Sequence, residues 1–287
     1  MEHEATTDIG VEPTSIDDTQ DFPVLPEAGD LIEFVRVSGI PPSVDGEMSI
    51  FARHDGIPAH NQDILRDARV LCVGAGGLNS WVLVGLARSG VGTITVLDSD
   101  RVDRSNLSRQ FYESDDLGLP KGPRLARRIA EQAIGGGDII GIGLEFEDAL
   151  EQYPLPADLI IAGVDNNKCR LEVVREARRR GICAVFTMLS PDGMRLHAFL
   201  QSGSRLDPCL WCALPNLDPE HLLPCASAII SSCFLAAGFT LFFAHRALMG
   251  WGEMRPFNWR SADLSGATPE QIGRVSKRPG CPVCSSL

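Results

Sequence analysis

Short, uninterrupted apolar runs alternate with longer amphipathic stretches through the middle of this chain, and the alternation is sharpest between residues 69 and 121. Residues 70–73 (VLCV) run straight into Gly74, Ala75, Gly76 and Gly77, after which Leu78 opens an apolar helical pattern lasting to about residue 89. A second strand is expected at residues 93–97, ending at Asp98. A basic amphipathic helix is expected from Lys121 to about residue 132, stopped by Gly135, Gly136 and Gly137. Strands at 139–144 and 158–164, an arginine-rich helix at 168–180, and strands at 182–188 and 194–200 follow. Continuous rather than alternating apolar strands are covered on both faces, so the pattern predicts an α/β fold: a Rossmann-like, mostly parallel sheet with helices on both faces. Residues 31–37 (LIEFVRV) alternate well enough for a short strand, and residues 61–67 form a helical turn. There is no internal repeat and no second glycine fingerprint.

Composition changes this picture at the N-terminus. The chain has 287 residues and is 44% hydrophobic, enough for a substantial core. Its net charge of −12 is unevenly spread: residues 1–50 hold 12 of the 38 acidic residues and one of the 26 basic ones, leaving 26 acidic against 25 basic. With Pro13, Pro23 and Pro26 interrupting it, the segment 1–48 reads as an acidic, flexible arm ahead of one domain at 49–287. The near-neutral remainder has no basic stripe, so no nucleic-acid partner is expected.

Nine cysteines behind a start, MEHEATTDIG, that lacks the basic and apolar segments of a secretory signal imply reduced thiols, metal ligation and a cytoplasmic location. Residues 226–244 are apolar and just long enough to span a bilayer. They are also rich in Ser, Ala and Gly and stand alone, so a buried or interface helix is expected and no membrane partner.

The glycine turn between strand and helix is the first candidate site. Glycines let the backbone approach a phosphate, and the amides of a helix N-terminus meet its negative charge. Asp98, at the tip of the next strand, is placed to bind ribose hydroxyls. A tight turn with no ligand has the same appearance, and the third glycine of GxGxxG is here Asn79. The polar stretch DSDRVDRSNLSRQFYESDDLGLPK separates the readings, since it places Asn106, Arg109 and Lys121 just past the second strand. A nicotinamide cofactor has no γ-phosphate needing such cations; a triphosphate does.

Asp165 and Asn166 follow the expected fourth strand, at the edge where open α/β sheets bind ligands. An acid there could hold Mg2+ beside a triphosphate, or the pair could be an ordinary turn. Cys209/Cys212 and Cys281/Cys284 form two CxxC pairs. Four thiolates suit tetrahedral zinc, and a filled coordination sphere makes the ion a staple for the C-terminal part rather than a catalyst; a lone CxxC would otherwise be a redox pair. Cys225, in LLPCASAII, opens the long apolar stretch. A thiol at a helix N-terminus is activated as a nucleophile, although the commonest fate of a free cysteine is burial, the fate expected for Cys72, Cys169, Cys183 and Cys233.

These residues in this order resemble the ubiquitin-activating superfamily in its bacterial ThiF/MoeB/HesA form, over roughly Arg53 to Cys284. GAGGLNS resembles the family turn GxGGLGS, DSDRVDRSNLSRQ its DxDxVxxSNLxRQ signature, GLPK its GxxK and VDN its strand-final DN. The CxxC pairs flank a cysteine 13 residues after the first pair, as in members that form a thioester or persulfide. The resemblance implies that Asp98 binds ribose, that Asn106, Arg109 and Lys121 bind phosphates, that Asp165 is the Mg2+ and catalytic aspartate, and that Cys225 is the acceptor thiol. The family usually begins with RYxRQ, whose second arginine acts across a homodimer; here the nearby candidate is Arg53 in FARHDGIPAHNQ.

The function implied is ATP-dependent adenylation of the C-terminal glycine of a ubiquitin-like protein, then thioester formation on Cys225 or sulfur transfer, with a conjugating enzyme or sulfur donor as a further partner. Activation of a small-molecule or tRNA-base carboxylate is the alternative enzyme reading. A silent subunit that only binds the ubiquitin-like protein is the alternative from another class, and the intact Arg109, Lys121 and Asp165 set argues against it.

Overall fold

A computed structural model describes residues 31–41, 48–220, 227–251 and 257–285. Among the described residues, nine strands form one sheet in the order β1-β4-β3-β2-β5-β6-β7-β8-β9. They are β1 (Ile32–Val37), β2 (Arg69–Val73), β3 (Thr93–Leu97), β4 (Gly137–Ile142), β5 (Leu159–Ala162), β6 (Cys183–Leu189), β7 (Arg195–Gln201), β8 (Trp259–Asp263) and β9 (Gln271–Gly273). The five strands from β4 to β6 pair in parallel, and β1, β7, β8 and β9 extend them antiparallel. Order reverses between β2 and β5, so the loops after these two strands diverge to opposite faces and leave a crevice at their carboxyl ends.

Helices cover both faces, as the apolar runs require. On one side lie α1 (Gln62–Asp67), α2 (Gly77–Arg88), α3 (Lys121–Ala130) and α7 (Ile230–Met249), whose Leu65, Leu86, Ile129 and Phe243 share a core with Val70 and Ile94. On the other lie α4 (Phe146–Gln152), α5 (Asn167–Arg180), α6 (Leu210–Ala213) and α8 (Pro282–Ser285), packed through Phe146, Val174, Leu210 and Val283 against Leu71 and Phe186.

The expected strand near the N-terminus is β1, hydrogen-bonded to β4 along its length and fixed by the ion pair Arg36–Asp138 at 2.9 Å. It lies within the stretch assigned to the acidic arm, so the sheet reaches back past the division expected after residue 48. Residues 1–30 and 42–47 of that arm lie outside the described residues.

The long apolar stretch is α7, 20 residues with a mean hydropathy of 1.4 over its best window, and 56% of that window is buried. It runs parallel to α2: the Cβ positions of Gly77 and Gly85 would meet Cys233 Sγ and Leu241, and His245 Nε2 lies 3.2 Å from Ser89 Oγ. The helix is long and apolar enough to cross a membrane, yet one face is committed to the domain core. Phe234, Leu235 and Phe242 stand exposed on the other.

The polar stretch between β3 and α3 is held by a buried charge. Asp116 is fully buried; its Oδ1 accepts from Arg124 Nε and Nη2 at 2.8 and 2.6 Å, and its Oδ2 accepts from Arg128 Nε and Glu113 N, both at 2.9 Å. Burial pushes its pKa up, but the bonds from Arg128, Glu113 N and Arg124 outweigh that and the value is lowered. The Asp116→Asn variant takes the paired carboxylate from Arg124 and one of three from Arg128, which keeps Asp115 at 2.6 Å and Glu113 at 3.1 Å, and is expected to lose about 3 kcal/mol in urea unfolding at neutral pH. Because the folded pKa lies below the unfolded one, the stabilisation is present above about pH 4 and disappears as pH falls below it. Equal loss at pH 7 and pH 3 would contradict this account.

Candidate functional site

The crevice between β2 and β5 opens into a cavity of about 630 Å³, lined by Gly74, Gly76, Gly77, Asp98, Asn106, Arg109, Lys121, Asp165 and Asn166 among others. Thus every residue expected to touch nucleotide lines this one cavity. Gly74 has φ +92° and its Cβ position lies 3.0 Å from Gly163 O, so only glycine suits it. A Cβ at Gly76 would meet nothing within 4 Å, so the protein's own packing leaves that space open on the cavity side. Gly76 is the N-cap of α2 and no side chain caps the helix, which leaves its first amides available to an anion.

Asn79, in the first turn of α2, departs from the glycine pattern in a specific way. It is fully buried, and its Nδ2 donates to Val73 O and Gly74 O, both at 2.9 Å, so it braces the turn from inside. Helix and strand still approach closely because the opposing residue is Gly163, where a Cβ would lie 2.4 Å from Asn79 Oδ1. The glycine missing from the helix is thus matched by one after β5. Gly163→Ala is therefore expected to destabilise the native chain markedly and the Asn79→Gly chain little, with a coupling of about 1 kcal/mol or more in a double-mutant unfolding cycle. Additive costs would show that the two positions are independent.

Asp98 holds the turn from the other side: its Oδ2 accepts from Ala75 N at 2.6 Å and its Oδ1 from Asp100 N at 2.9 Å. Burial raises its pKa, opposed by Lys121 and by these amides. Tyr112 was not singled out by sequence. Its buried hydroxyl donates to Ala75 O at 2.9 Å, with Lys121 O at 3.3 Å, and ties the glycine turn to the start of α3.

Lys121, the first residue of α3, is buried along its stem, and its Nζ pairs with Asp100 Oδ2 at 2.8 Å. Asp100, another residue missed in the sequence, keeps the ammonium aimed into the cavity mouth. Arg109 Nη1 donates to Ser105 O at 2.6 Å, and its main-chain carbonyl accepts from Trp81 Nε1 at 3.0 Å. Asn106 lines the cavity but also builds the loop, since its Oδ1 accepts from Asp103 N at 3.0 Å in a capping box over Arg104–Asn106.

Across the crevice, Asp165 follows β5, and Asn166 caps α5 by accepting from Cys169 N at 3.1 Å. Arg170 braces this turn from below, its Nη1 and Nη2 donating to Asn167 Oδ1 and Val164 O, both at 2.5 Å; burial lowers its pKa to about 10. Asp98, Asp100, Asp103 and Asp165 all line the cavity, and Asp165, after β5, is a carboxylate that could hold Mg2+ there.

Arg53 is not brought to this cavity. Its segment is pinned at the far end of α2, where Gln62 Oε1 accepts from His54 Nδ1 and His60 Nε2 at 3.0 and 3.1 Å and Gln62 Nε2 donates to Ser89 O at 2.8 Å. A 12-residue helix is roughly 18 Å long, so Arg53 stands a helix length from the glycine turn of its own chain. Cys225 lies outside the described residues. The neighbouring Cys233 is buried as expected, with its Sγ facing Gly77 on the cavity wall.

The four knuckle cysteines converge, their sulfur atoms all within 4.8 Å of one another. Individual separations are 3.9 Å (Cys209–Cys212), 3.7 Å (Cys209–Cys281), 3.6 Å (Cys212–Cys284) and 3.3 Å (Cys209–Cys284). Zn–S bonds of about 2.3 Å in a tetrahedron place sulfurs roughly 3.8 Å apart, so the four side chains fit the ion.

A family model described as the ThiF family matches residues 51–283. The chain belongs to the ThiF family. It is 31% identical over 230 residues to a sulfur carrier protein adenylyltransferase of Thermus thermophilus, covering 78% of this chain and 84% of that protein. It is 24% identical over 222 residues to ubiquitin-like modifier-activating enzyme 5 of Drosophila ananassae, covering 67% of this chain and 54% of that longer protein. Its fold is similar to the crystal structure of E. coli MccB with MccA-N7isoASN, at a TM-score of 0.69 and 18% identity over 84% of this chain and 75% of that one. ThiF family membership thus agrees with the resemblance read from GAGGLNS and DSDRVDRSNLSRQ.

Proposed function

We propose that this ThiF family chain is an ATP-dependent adenylyltransferase that activates the C-terminal carboxylate of a small sulfur-carrier or ubiquitin-like protein. The observation that carries this reading is the meeting of an uncapped helix N-terminus, Asp98, Arg109, Lys121 and Asp165 around one cavity at the switch point of the sheet. Two relatives, named for a sulfur carrier protein and for a ubiquitin-like modifier, support the substrate class.

In this reading Gly74, Gly76 and Gly77 admit the phosphates to the α2 amides, and Asp98 meets the ribose. Asn106, Arg109 and Lys121 bind phosphate oxygens, Lys121 exchanging Asp100 for them. Asp165, with Asn166 beside it, holds Mg2+, which when bound neutralises part of the triphosphate charge. A carboxylate oxygen of the partner attacks the α-phosphorus, a C–O–P bond forms, and the bond to the β-phosphate breaks to release pyrophosphate. Arg109 and Lys121 reduce the repulsion between the two anions as they approach. The thiolate of Cys225 then displaces AMP to give a thioester, or a sulfur donor gives a thiocarboxylate.

Zinc at the four cysteines is the structural staple of the same unit, residues 49–287 with β1 added. A second copy covers Phe234, Leu235 and Phe242 of α7 and supplies its Arg53 to the neighbouring cavity. The test is ATP–pyrophosphate exchange in the presence of a small protein ending in Gly-Gly. Partner-dependent exchange is expected, and its absence with every such protein would reject adenylation of a protein carboxylate.

A further inference from the structure

Helix α5 begins at the Asp165 turn and ends at the cysteine cluster, and its last turn carries Arg178, Arg179 and Arg180. Arg179 and Arg180 both pair with Glu176, at 2.7 and 2.6 Å. Arg178 differs. It is 4% exposed and, among the described residues, forms no ion pair. Its Nη2 donates to Asp207 O at 2.8 Å and Pro208 O at 3.0 Å, the two residues before Cys209, while its Nη1 is buried without a partner. Burial lowers its pKa, and the nearby Cys284, Cys209, Asp207 and Cys212 oppose the shift, three of them knuckle cysteines. A second donor reaches the same cluster, the main-chain N–H of Arg278, 3.3 Å from Cys212 Sγ.

A guanidinium that is desolvated, held in place and left with a free N–H is unfavourable unless a negative group faces it. Four thiolates around a divalent ion carry a net charge of about −2, and a buried centre of that charge is unfavourable unless a cation faces it. The carbonyl ends of α5 add negative potential at the same place, which strengthens the demand for a cation. Each unsatisfied group is the complement of the other.

We propose that Arg178 is the buried counter-ion of a metal tetrathiolate formed by Cys209, Cys212, Cys281 and Cys284. The inference rests on the reading of those cysteines as zinc ligands. It assigns Arg178 to positioning and charge balance, since the guanidinium supplies no ligand atom. It also accounts for the different surroundings of three consecutive arginines: two serve the buried Glu176, and one serves the metal.

Two substitutions separate charge from hydrogen bonding. Arg178→Gln retains a donor for the Asp207 or Pro208 carbonyl but loses the charge, and Arg178→Lys keeps the charge with poorer hydrogen bonding. Metal affinity is read on the full chain by competition between Zn2+ and a chromogenic chelator, and independently by the charge-transfer absorbance of added Co2+. The expected result is a loss of about 10–100-fold in affinity for Arg178→Gln and at most a few-fold loss for Arg178→Lys. Equal affinity of Arg178→Gln and the native chain, or equal loss in both variants, overturns the counter-ion role while leaving zinc binding intact. A native chain that takes up neither Zn2+ nor Co2+ overturns both. Should Arg178→Gln not fold, Arg178→Lys decides alone: near-native affinity supports the charge role, and a loss beyond tenfold rejects it.

Discussion

Asp165→Asn is expected to reduce partner-dependent ATP–pyrophosphate exchange by about 10³-fold at saturating nucleotide, with little change in thermal stability. The substitution keeps the shape of the side chain and removes only its charge. The turn that carries it is independently anchored: Asn166 caps α5, and Arg170 holds Val164 O and Asn167 Oδ1 on either side. Asparagine therefore inherits the position. What it does not inherit is the ability to hold a divalent cation against the triphosphate as negative charge builds up between two anions. Asp98, Asp100 and Asp103 remain in the cavity, so nucleotide binding should weaken far less than turnover. Exchange within tenfold of the native chain would remove Asp165 from the catalytic centre. A rise in KM for ATP with unchanged kcat would move it to ground-state binding.

The parts of this molecule that sequence reveals are those whose environment is simplest. β3 is read to the residue, and β2 nearly so, because VLCV is apolar throughout, TITVL has only β-branched threonines between its apolar residues, and both strands are covered on both faces. β8 and β9 have no such signal: WRSAD and QIG acquire their strand character from pairing with β7 and with each other. The cavity residues were legible because each is a distinct chemical type at a strand end or helix start, and the fold only had to bring those ends together. The bracing around them was not. Asn79 reads as a mild departure from glycine, and only the approach of Gly163, far along the chain, shows why the helix can carry it. In the run Arg178, Arg179, Arg180, nothing local distinguishes the buried member from its neighbours; Arg178 is turned to the Asp207 and Pro208 carbonyls, and the other two to Glu176. Arg53 was placed by analogy with a motif that here is altered, and the histidine and glutamine contacts at the far end of α2 hold it away from its own cavity.

Cys225→Ser is expected to separate the two halves of the proposed reaction completely: pyrophosphate exchange stays near the native rate, and the covalent thioester with the partner, read on a non-reducing gel or by intact mass, disappears. The reason lies in which groups each step uses. Ser227 N donates to Pro191 O at 3.1 Å, which fixes the segment on the turn between β6 and β7, and Ala228 lines the cavity. The adenylation step uses Asp165, Arg109 and Lys121 and needs no thiol, so removing one should leave it intact. Cys233, although on the cavity wall, is packed against Gly77 and has its pKa raised by burial, with Arg109 opposing, which makes it a poor substitute nucleophile. Persistence of the thioester in Cys225→Ser and its loss in Cys233→Ser would transfer the acceptor role to Cys233. Absence of any thioester in the native chain, with exchange intact, would instead place the acyl adenylate in sulfur transfer.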